Sequence, residues 1–206
     1  MSEVAAVLLA AGGASRFKAA GGGDASKLVA PVAGKPLVRH SAEAALASRA
    51  APLIVVTGHD RAAVEAALDG LEVRFAHNGG HAQGLASSLR TGVAALPASA
   101  AGALILLGDM PAVTPALIDR LIAAFEARPD ALAAAPSLKG RRGNPVLLAR
   151  ALFPAIARLD GDEGARKLLN DAAPGQVIDI EVSGEAAILD VDTPQGLAEA
   201  RRALEK

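Results

Sequence analysis

The feature that most constrains the fold is an apolar run near the amino terminus that ends in two glycines. Residues Val4–Ala10 are all apolar, Gly12 and Gly13 follow, and the cations Arg16 and Lys27 come next. Glycine permits positive φ and close approach of the backbone to a ligand, so that successive N–H groups can converge on an anion. The pattern predicts a strand that leads into a phosphate-binding loop, with a nucleotide as the natural ligand.

Neither common phosphate-loop fingerprint fits this stretch. A P-loop needs a Lys-Ser/Thr pair directly after its last glycine, but Gly13 is followed by Ala14-Ser15-Arg16. The dinucleotide pattern needs an early helix, whereas the run Gly21–Asp24 is incompatible with a helix there. We therefore expect a long, open loop. The alternative, a flexible linker, is disfavoured because an ordered apolar pattern resumes at Lys27–Pro31.

Composition predicts one enzyme-sized domain over residues 1–206 that does not bind nucleic acid. Hydrophobic residues make up 51% of the chain, enough to build a core, and no linker or repeat divides it. Aromatic residues make up only 2% and the net charge is −1. A nucleic-acid surface would instead carry stacking aromatics and a basic excess.

The chain is also expected to act in the cytoplasm without crossing a membrane. It contains no cysteine, which excludes disulfides and thiolate chemistry. No apolar run approaches the ~20 residues of a membrane span. The first apolar run is short and follows Glu3, where a signal peptide would have basic residues.

Short apolar runs alternate with helical patterns along the chain, which predicts an α/β fold. The predicted class is a three-layer, Rossmann-like, mainly parallel sheet with helices on both faces. The predicted strands are Val4–Ala10, Leu53–Thr57, Val73–Ala76, Ala103–Leu107, Ala131–Ala135, Pro145–Leu148 and Val177–Glu181. The predicted helices are Pro36–Ala50, Asp60–Leu68, Leu85–Ala95, Thr114–Arg128, Arg150–Ala157, Gly164–Asn170 and Thr193–Leu204. Thr114-Pro115 and Thr193-Pro194 mark two helix starts, and Ser137–Gly143 is expected to be a loop or hairpin beside a pocket.

Ligands of open parallel sheets bind outside the carboxyl ends of the strands. Three polar or glycine-rich stretches, Gly12-Gly13, Asn78–His81 and Gly108-Asp109, follow predicted strands and should meet at that edge. Asp109 comes directly after an interior strand, where a carboxylate is costly unless it is ionised against a cation. Asp109 is thus a candidate for ligand chemistry, with a turn cap as the simpler alternative.

Four motifs together resemble nucleotidyltransferases of the molybdenum cofactor cytidylyltransferase type. They are Leu9–Lys27, Gly34–Leu37, Gly108–Pro111 and Asp190–Pro194, and the resemblance extends from Val4 to about Leu204. It implies a fold of the nucleotide-diphospho-sugar transferase type. It also implies Mg²⁺-dependent transfer of a nucleotide from CTP to a molybdopterin-type phosphorylated acceptor, with release of pyrophosphate. A molybdoenzyme or its chaperone would then receive the finished cofactor.

The resemblance assigns Mg²⁺ to Asp109 and Asp192. Mg²⁺ prefers one or two carboxylates together with phosphates and water, and strand alternation puts Asp190 on the same face as Asp192, so either can be the second ligand. Capping of the last helix is the alternative role for Asp192. The expected catalytic residues are Arg16, Lys27 and Asp109. The expected nucleotide-binding residues are Leu9, Ala10, Ala11, Gly12, Gly13, Arg16, Lys27, Asn78, Gly84, Ser87 and Asp109.

Acceptor binding is expected in Gly140–Val146 and in Leu159–Arg166, which is similar to a G-D-x-G-A-R segment of the family. The acceptor-binding candidates are Arg141, Arg142, Asn144, Asp162 and Arg166, with a solvated loop face as the alternative for the arginines. Asn144 replaces a histidine common in cytidylyltransferases, and Gly21–Ala25 is an insertion. Both departures concern the acceptor more than the chemistry.

Several functional alternatives remain open at this point. A phosphate acceptor is already ionised, so charge neutralisation and in-line positioning replace a general base. Ala10-Ala11-Gly12 resembles the cytidylyl enzymes, whereas guanylyl relatives usually have Gly-Gly at that place, so the resemblance favours CTP. The alternatives are GTP or another phosphorylated acceptor. A member of the fold that uses NAD(P)H for oxidoreduction is a further alternative. His77 and His81 do not predict a zinc site, because the Asn78–Gly80 stretch between them precludes a regular helix.

Overall fold

A computed structural model describes residues 3–13, 17, 19, 21, 26–183, 191 and 193–204. Within these ranges, helices and strands alternate through most of the chain, as the sequence predicts. The strands are β1 (Val4–Ala10), β2 (Pro31–Val32), β3 (Lys35–Pro36), β4 (Leu53–Thr57), β5 (Arg74–His77), β6 (Gly102–Leu107), β7 (Ala133–Leu138), β8 (Arg141–Arg142), β9 (Val146–Ala149) and β10 (Val177–Glu181).

The α-helices of the described residues connect these strands. They are α1 (Leu37–Leu46), α2 (Arg61–Ala67), α3 (Leu85–Ala94), α4 (Pro115–Glu126), α5 (Phe153–Ile156), α6 (Ala165–Asp171) and α7 (Pro194–Leu204). Short 3₁₀ turns lie at Lys27–Val29, His81–Gln83 and Arg150–Leu152. None of the helices in the described ranges is both long and apolar enough to cross a lipid bilayer.

One large sheet forms the centre of the molecule. Its strand order is β10-β7-β9-β6-β1-β4-β5, with β8 paired to β7, while β2 and β3 form a separate pair. Strands β1, β4, β5 and β6 run parallel, as do β7 and β10, and β9 runs antiparallel to both β6 and β7. The fold class is therefore the predicted three-layer, mainly parallel α/β arrangement, in which β9 and the short strand β8 run antiparallel to their neighbours.

The two faces of the sheet carry separate apolar layers. In β1 the side chains alternate, with Val4, Ala6 and Leu8 in one layer and Val7 and Leu9 in the other. The first layer packs against α1, α2 and α4, and the second against α3, α5 and α6. Because both faces are covered, β1 is apolar at every position.

A third apolar cluster joins the end of the chain to its beginning. Leu197 and Ala200 of α7 lie in this cluster with Phe17, Val191 and Leu37. Phe17 lies between Gly13 and Lys27 in the chain, so the last helix packs against part of the region that the sequence assigns to phosphate binding.

Two helix starts predicted from Thr-Pro pairs are confirmed. The Leu117 amide donates to Thr114 Oγ1 at 3.3 Å, and Pro115 is the first residue of α4. The Gly196 amide donates to Thr193 Oγ1 at 3.1 Å at the start of α7. Each threonine hydroxyl thus accepts from a backbone N–H in the first turn of its helix, as an N-cap residue does.

Two predicted boundaries were wrong by several residues. The helix expected over Pro36–Ala50 ends at Leu46, where Ser48 Oγ donates to the Ala45 carbonyl at 2.7 Å and accepts from the Ala50 amide at 3.2 Å. This local side-chain bonding competes with continuation of the helix. The strand expected over Ala131–Ala135 instead runs from Ala133 to Leu138, because it forms a hairpin with β8.

Candidate active site

The carboxyl ends of β1, β4, β5 and β6 meet at one edge of the sheet, as the sequence predicts. The Gly108 amide donates to the Leu9 carbonyl at 3.0 Å, which joins the end of β6 to the end of β1. The His59 amide donates to the Ala11 carbonyl at 3.2 Å and brings in the residues after β4. The backbone that follows three neighbouring strands therefore surrounds the start of the predicted phosphate loop.

Asp109 and Lys27 form a partly buried ion pair at this edge. Lys27 Nζ lies 2.6 Å from Asp109 Oδ2, and the two side chains are 11% and 17% exposed. Lys27 Nζ also donates to the Val191 carbonyl at 2.7 Å, and the Val191 amide donates to the Asp109 carbonyl at 3.0 Å. Three segments that are distant in the sequence thus meet around one carboxylate and one ammonium group.

The Asp109 side chain has the chemistry expected of a ligand for a divalent cation. A carboxylate oxygen is a hard donor, and Mg²⁺ is usually bound by one or two carboxylates together with phosphates and water. Within the described ranges, no three His, Asp or Glu side chains form a metal-binding cluster. The predicted residues Arg16, Asp190 and Asp192 lie outside the described residues.

Glycines permit close backbone approach at this edge. A Cβ on Gly58 would lie 2.6 Å from the Ala11 carbonyl oxygen and 2.7 Å from Ala11 Cβ. Sequence reasoning missed Gly58, although it follows β4 directly, much as Gly12 and Gly13 follow β1. Gly12 itself is exposed, and no described heavy atom lies within 4 Å of the position that a Cβ would take there.

Asn78 and Ser87, both predicted to bind the nucleotide, form hydrogen bonds to each other. Asn78 is buried and its Nδ2 donates to Ser87 Oγ at 2.8 Å and to Ser88 Oγ at 3.0 Å, while its Oδ1 accepts from the Gly80 amide at 2.9 Å. Ser87 Oγ also lies 2.8 Å from the Gly84 carbonyl oxygen. These hydrogen bonds therefore fix the shape of the loop between β5 and α3.

The acceptor candidates are only partly brought together. Arg142, Asn144 and Arg166 line one small cavity together with Asn170, which sequence reasoning did not single out. Arg141 is exposed on the hairpin and does not line this cavity. No local sequence signal distinguishes Asn170, because it joins the cavity only when α6 packs beside the hairpin.

Asp162 and Arg142 have environments that the sequence could not show. Asp162 is exposed and lies beside Gly84, where a Cβ would be 2.8 Å from Asp162 Oδ1. Arg142 forms a two-point ion pair with Asp179 of β10, with Nε–Oδ1 at 2.6 Å and Nη2–Oδ2 at 3.0 Å. The hydrogen bond to Asp179 raises the pKa of the Arg142 guanidinium above its ordinary value. Arg142 is therefore a fixed cation at the wall of the cavity.

Two histidines near the loop, His59 and His81, contact each other through their rings. The His59 and His81 rings make an edge-to-face contact with centroids 5.7 Å apart. Residues His81–Gln83 form a 3₁₀ turn, which agrees with the expectation that no regular helix spans His77 and His81.

The sheet and the loops at its carboxyl edge have the arrangement of the α/β proteins that bind nucleotides at this edge. Residues 6–177 match the model of the MobA-like NTP transferase domain, and the chain belongs to that family. The matched domain is an NTP transferase domain, and the family match does not support the oxidoreductase alternative.

Similar proteins of known sequence agree with this membership. The chain is 30% identical over 209 residues to the purine catabolism protein PucB of Bacillus subtilis, and the match covers 96% of each protein. It is 32% identical over 166 residues to the bifunctional protein GlmU of Sorangium cellulosum. That match covers 78% of this chain but only 34% of GlmU, so the chain spans about a third of the length of that relative.

Solved structures resemble the molecule along almost its whole length. A nucleotidyl transferase from Methanothermobacter (Mth528) is 25% identical, with a TM-score of 0.85 and coverage of 100% of this chain and 99% of that one. Rv0371c from Mycobacterium tuberculosis, in a complex with manganese, is 28% identical with a TM-score of 0.78 and coverage of 98% and 99%.

Proposed function

We propose that this chain transfers a cytidylyl group from CTP to the phosphate of a molybdopterin-type cofactor in a reaction that requires Mg²⁺. The observation that carries the proposal is the position of Asp109 and Lys27, which lie in contact where β6 ends beside the loop that follows β1. A carboxylate for the metal and a cation for the phosphates are what nucleotidyl transfer needs at that edge.

The reaction is a substitution at the α-phosphorus of CTP. An oxygen of the acceptor phosphate forms a bond to the α-phosphorus. The bond between the α-phosphorus and the oxygen that bridges to the β-phosphate breaks, and pyrophosphate leaves with the electron pair of that bond. The acceptor oxygen is already ionised, so the chain does not need a general base. Its residues must hold the two phosphates in line and neutralise their charge.

Different residues would bind the pyrophosphate and the metal ion. The Gly12 and Gly13 amides, with Lys27 and Arg16, would bind the leaving pyrophosphate. Asp109 would hold Mg²⁺, which when bound neutralises phosphate charge, with Asp192 or Asp190 as the second carboxylate. The Val191–Asp109 hydrogen bond supports this assignment, because Val191 lies between those two aspartates in the chain. A divalent metal is also bound by the similar protein Rv0371c, in its complex with manganese.

The acceptor would bind at the cavity lined by Arg142, Asn144, Arg166 and Asn170. The planar guanidinium groups of two arginines can each donate two hydrogen bonds to the oxygens of an acceptor phosphate. Arg142 is already held by Asp179, whereas Arg166 is exposed at the start of α6. Arg166 is therefore the cation that we expect to contact the acceptor phosphate most directly.

The proposal can be tested by product analysis with a matched pair of variants. Purified protein is incubated with Mg²⁺, molybdopterin cofactor and each of CTP, GTP, ATP and UTP, and pyrophosphate and the dinucleotide product are measured. Arg166→Met removes a charged hydrogen-bond donor, worth about 1.5–3 kcal/mol, and should raise the KM for the acceptor by about 10- to 100-fold. Lys167→Met changes the next residue, whose ammonium lies near Glu163 and Asp171, and should leave that KM unchanged.

The outcomes separate the alternatives. A cytidine-containing dinucleotide, formed with release of pyrophosphate and impaired by Arg166→Met alone, is the expected result. A product formed only from GTP would show that GTP, and not CTP, is the nucleotide donor. Loss of activity to the same extent in Arg166→Met and Lys167→Met would contradict the assignment of Arg166 to acceptor binding.

A further inference from the structure

Helix α3 contacts the segment Leu159–Gly164 through two backbone carbonyls. The Ala86 amide donates to the Gly161 carbonyl at 3.0 Å. Arg90 lies four residues further along the helix, hence on the same face, and its Nη1 donates to the Leu159 carbonyl. One face of α3 therefore holds the segment that contains the acceptor candidate Asp162.

The start of the same helix belongs to the nucleotide loop. Gly84 adopts a φ of +97°, and a Cβ there would overlap the Gly161 carbonyl and lie 2.8 Å from Asp162 Oδ1. On the other side of the junction, a Cβ on Gly164 would lie 2.8 Å from Leu85 Cδ2. The loop that we assign to the nucleotide thus touches the segment that we assign to the acceptor.

The segment Leu159–Gly164 has limited internal support. Its internal hydrogen bonds form a single turn. The Gly161 amide donates to Asp160 Oδ1 at 2.8 Å, the Glu163 amide to the Asp160 carbonyl at 3.1 Å, and the Asp160 amide to Glu163 Oε2 at 3.2 Å. Asp160, Asp162 and Glu163 are all exposed. The half-buried Arg90 contributes a charge-assisted hydrogen bond to this segment, a type worth more than a neutral one.

We propose that Arg90 is a positioning residue for nucleotidyl transfer. It holds Leu159–Gly164, and with it Asp162 and the start of α6, at a fixed distance from the loop around Gly84. This inference rests on the proposed function, because it takes one side of the contact as the nucleotide site and the other as the acceptor site. In-line transfer is sensitive to such placement, since a shift of about 1 Å can cost about 100-fold in rate.

The test compares three variants of the full chain. Arg90→Met removes the bond to Leu159, and Arg90→Lys keeps a cation that can donate to the same carbonyl. The matched control is Arg128→Met, because Arg128 Nη2 also donates to a backbone carbonyl, that of Gly175, at 2.7 Å, and Arg128 follows α4 at the opposite edge of the sheet. Hydrogen–deuterium exchange of the peptide that spans Leu159–Gly164, nucleotide Kd and the acceptor KM are measured for each.

We expect Arg90→Met to increase exchange in Leu159–Gly164 and to lower kcat/KM for the acceptor by about 10- to 100-fold, with the nucleotide Kd unchanged. Arg90→Lys should restore part of both effects, and Arg128→Met should show neither. Unchanged exchange in Arg90→Met, or a nucleotide Kd that rises as much as the acceptor KM, would overturn the inference. If the wild type does not use the acceptor, the proposed function fails, and the exchange measurement still decides whether Arg90 holds the segment.

Discussion

At the scale of single residues, the start of the phosphate loop depends on a glycine that lies outside it. Gly58 is buried directly after β4, and a side chain there would collide with the Ala11 backbone oxygen and Cβ. Neither of these atoms is the flexible end of a side chain, so the Ala11–Gly13 backbone would have to move. Nucleotide binding should therefore be sensitive to Gly58 although it makes no contact with phosphate in our proposal.

We predict that Gly58→Ala weakens binding of the Mg²⁺-bound nucleotide by about 10-fold or more. Overpacking of a close contact costs about 1–3 kcal/mol, and about 1.4 kcal/mol corresponds to a tenfold change in affinity. Titration calorimetry gives the affinity. The control is Gly102→Ala, where a Cβ would lie 3.0 Å from the Leu148 carbonyl at the opposite edge of the sheet. Equal losses in both variants would show that the effect is not local to the loop.

Asp109 and Lys27 could be selected as site residues from the sequence, but the contact between them could not be predicted. Each could be found from local context, since Asp109 follows an apolar strand and Lys27 follows a glycine-rich loop. They are 82 residues apart, and the Val191 carbonyl that completes the contact is 164 residues from Lys27. Pairings of that length depend on the assembled sheet. For the same reason, the sequence did not predict the Arg142–Asp179 ion pair, which joins β8 to β10.

At the scale of secondary-structure elements, α7 is linked to the site through apolar packing. Leu197 is 7% exposed and lies in the cluster that contains Phe17 and Val191. Val191 in turn bonds to Lys27 and Asp109 through its backbone. A change in the last helix should therefore affect the Lys27–Asp109 ion pair.

We predict that Leu197→Ala lowers both stability and nucleotide affinity. Removal of a buried leucine side chain costs about 2–5 kcal/mol in the free energy of unfolding, because contacts are lost and a cavity remains. Leu121→Ala is the matched control, since Leu121 is fully buried in α4 and belongs to a different cluster. Denaturant unfolding and calorimetry below the melting temperature are measured for both. A nucleotide Kd that is unchanged in Leu197→Ala would contradict the link.

Element boundaries could be predicted where a local signal marks them. The Thr114 and Thr193 hydroxyls cap the helices that their Thr-Pro pairs predict. The end of α1 at Leu46 was missed, because the alanine-rich stretch that follows favours a helix while Ser48 bonds locally to the backbone. The hairpin extension of β7 depends on its pairing with β8, which an isolated apolar run does not show.

At the scale of the whole molecule, the alternation of apolar runs and helical patterns was sufficient to predict the layers and the ligand edge. The antiparallel direction of β9 was not predicted, because its apolar sequence is compatible with either direction. This inversion does not disturb the ligand edge, since β1, β4, β5 and β6 remain parallel. The central claim is that Asp109 at this edge binds the metal that accompanies the nucleotide.

The measurement that tests this claim most directly is calorimetric binding of CTP, GTP, ATP and UTP with and without Mg²⁺. We compare the wild type with Asp109→Asn and, as a control, with Asp130→Asn, because the Asp130 side chain is 80% exposed in the turn before β7. We predict that the wild type binds nucleotide in a Mg²⁺-dependent manner and prefers CTP. Affinity should fall by at least about 10-fold in Asp109→Asn alone, since an anionic ligand of the metal is lost. Nucleotide binding that is indifferent to both Mg²⁺ and Asp109→Asn would contradict the claim.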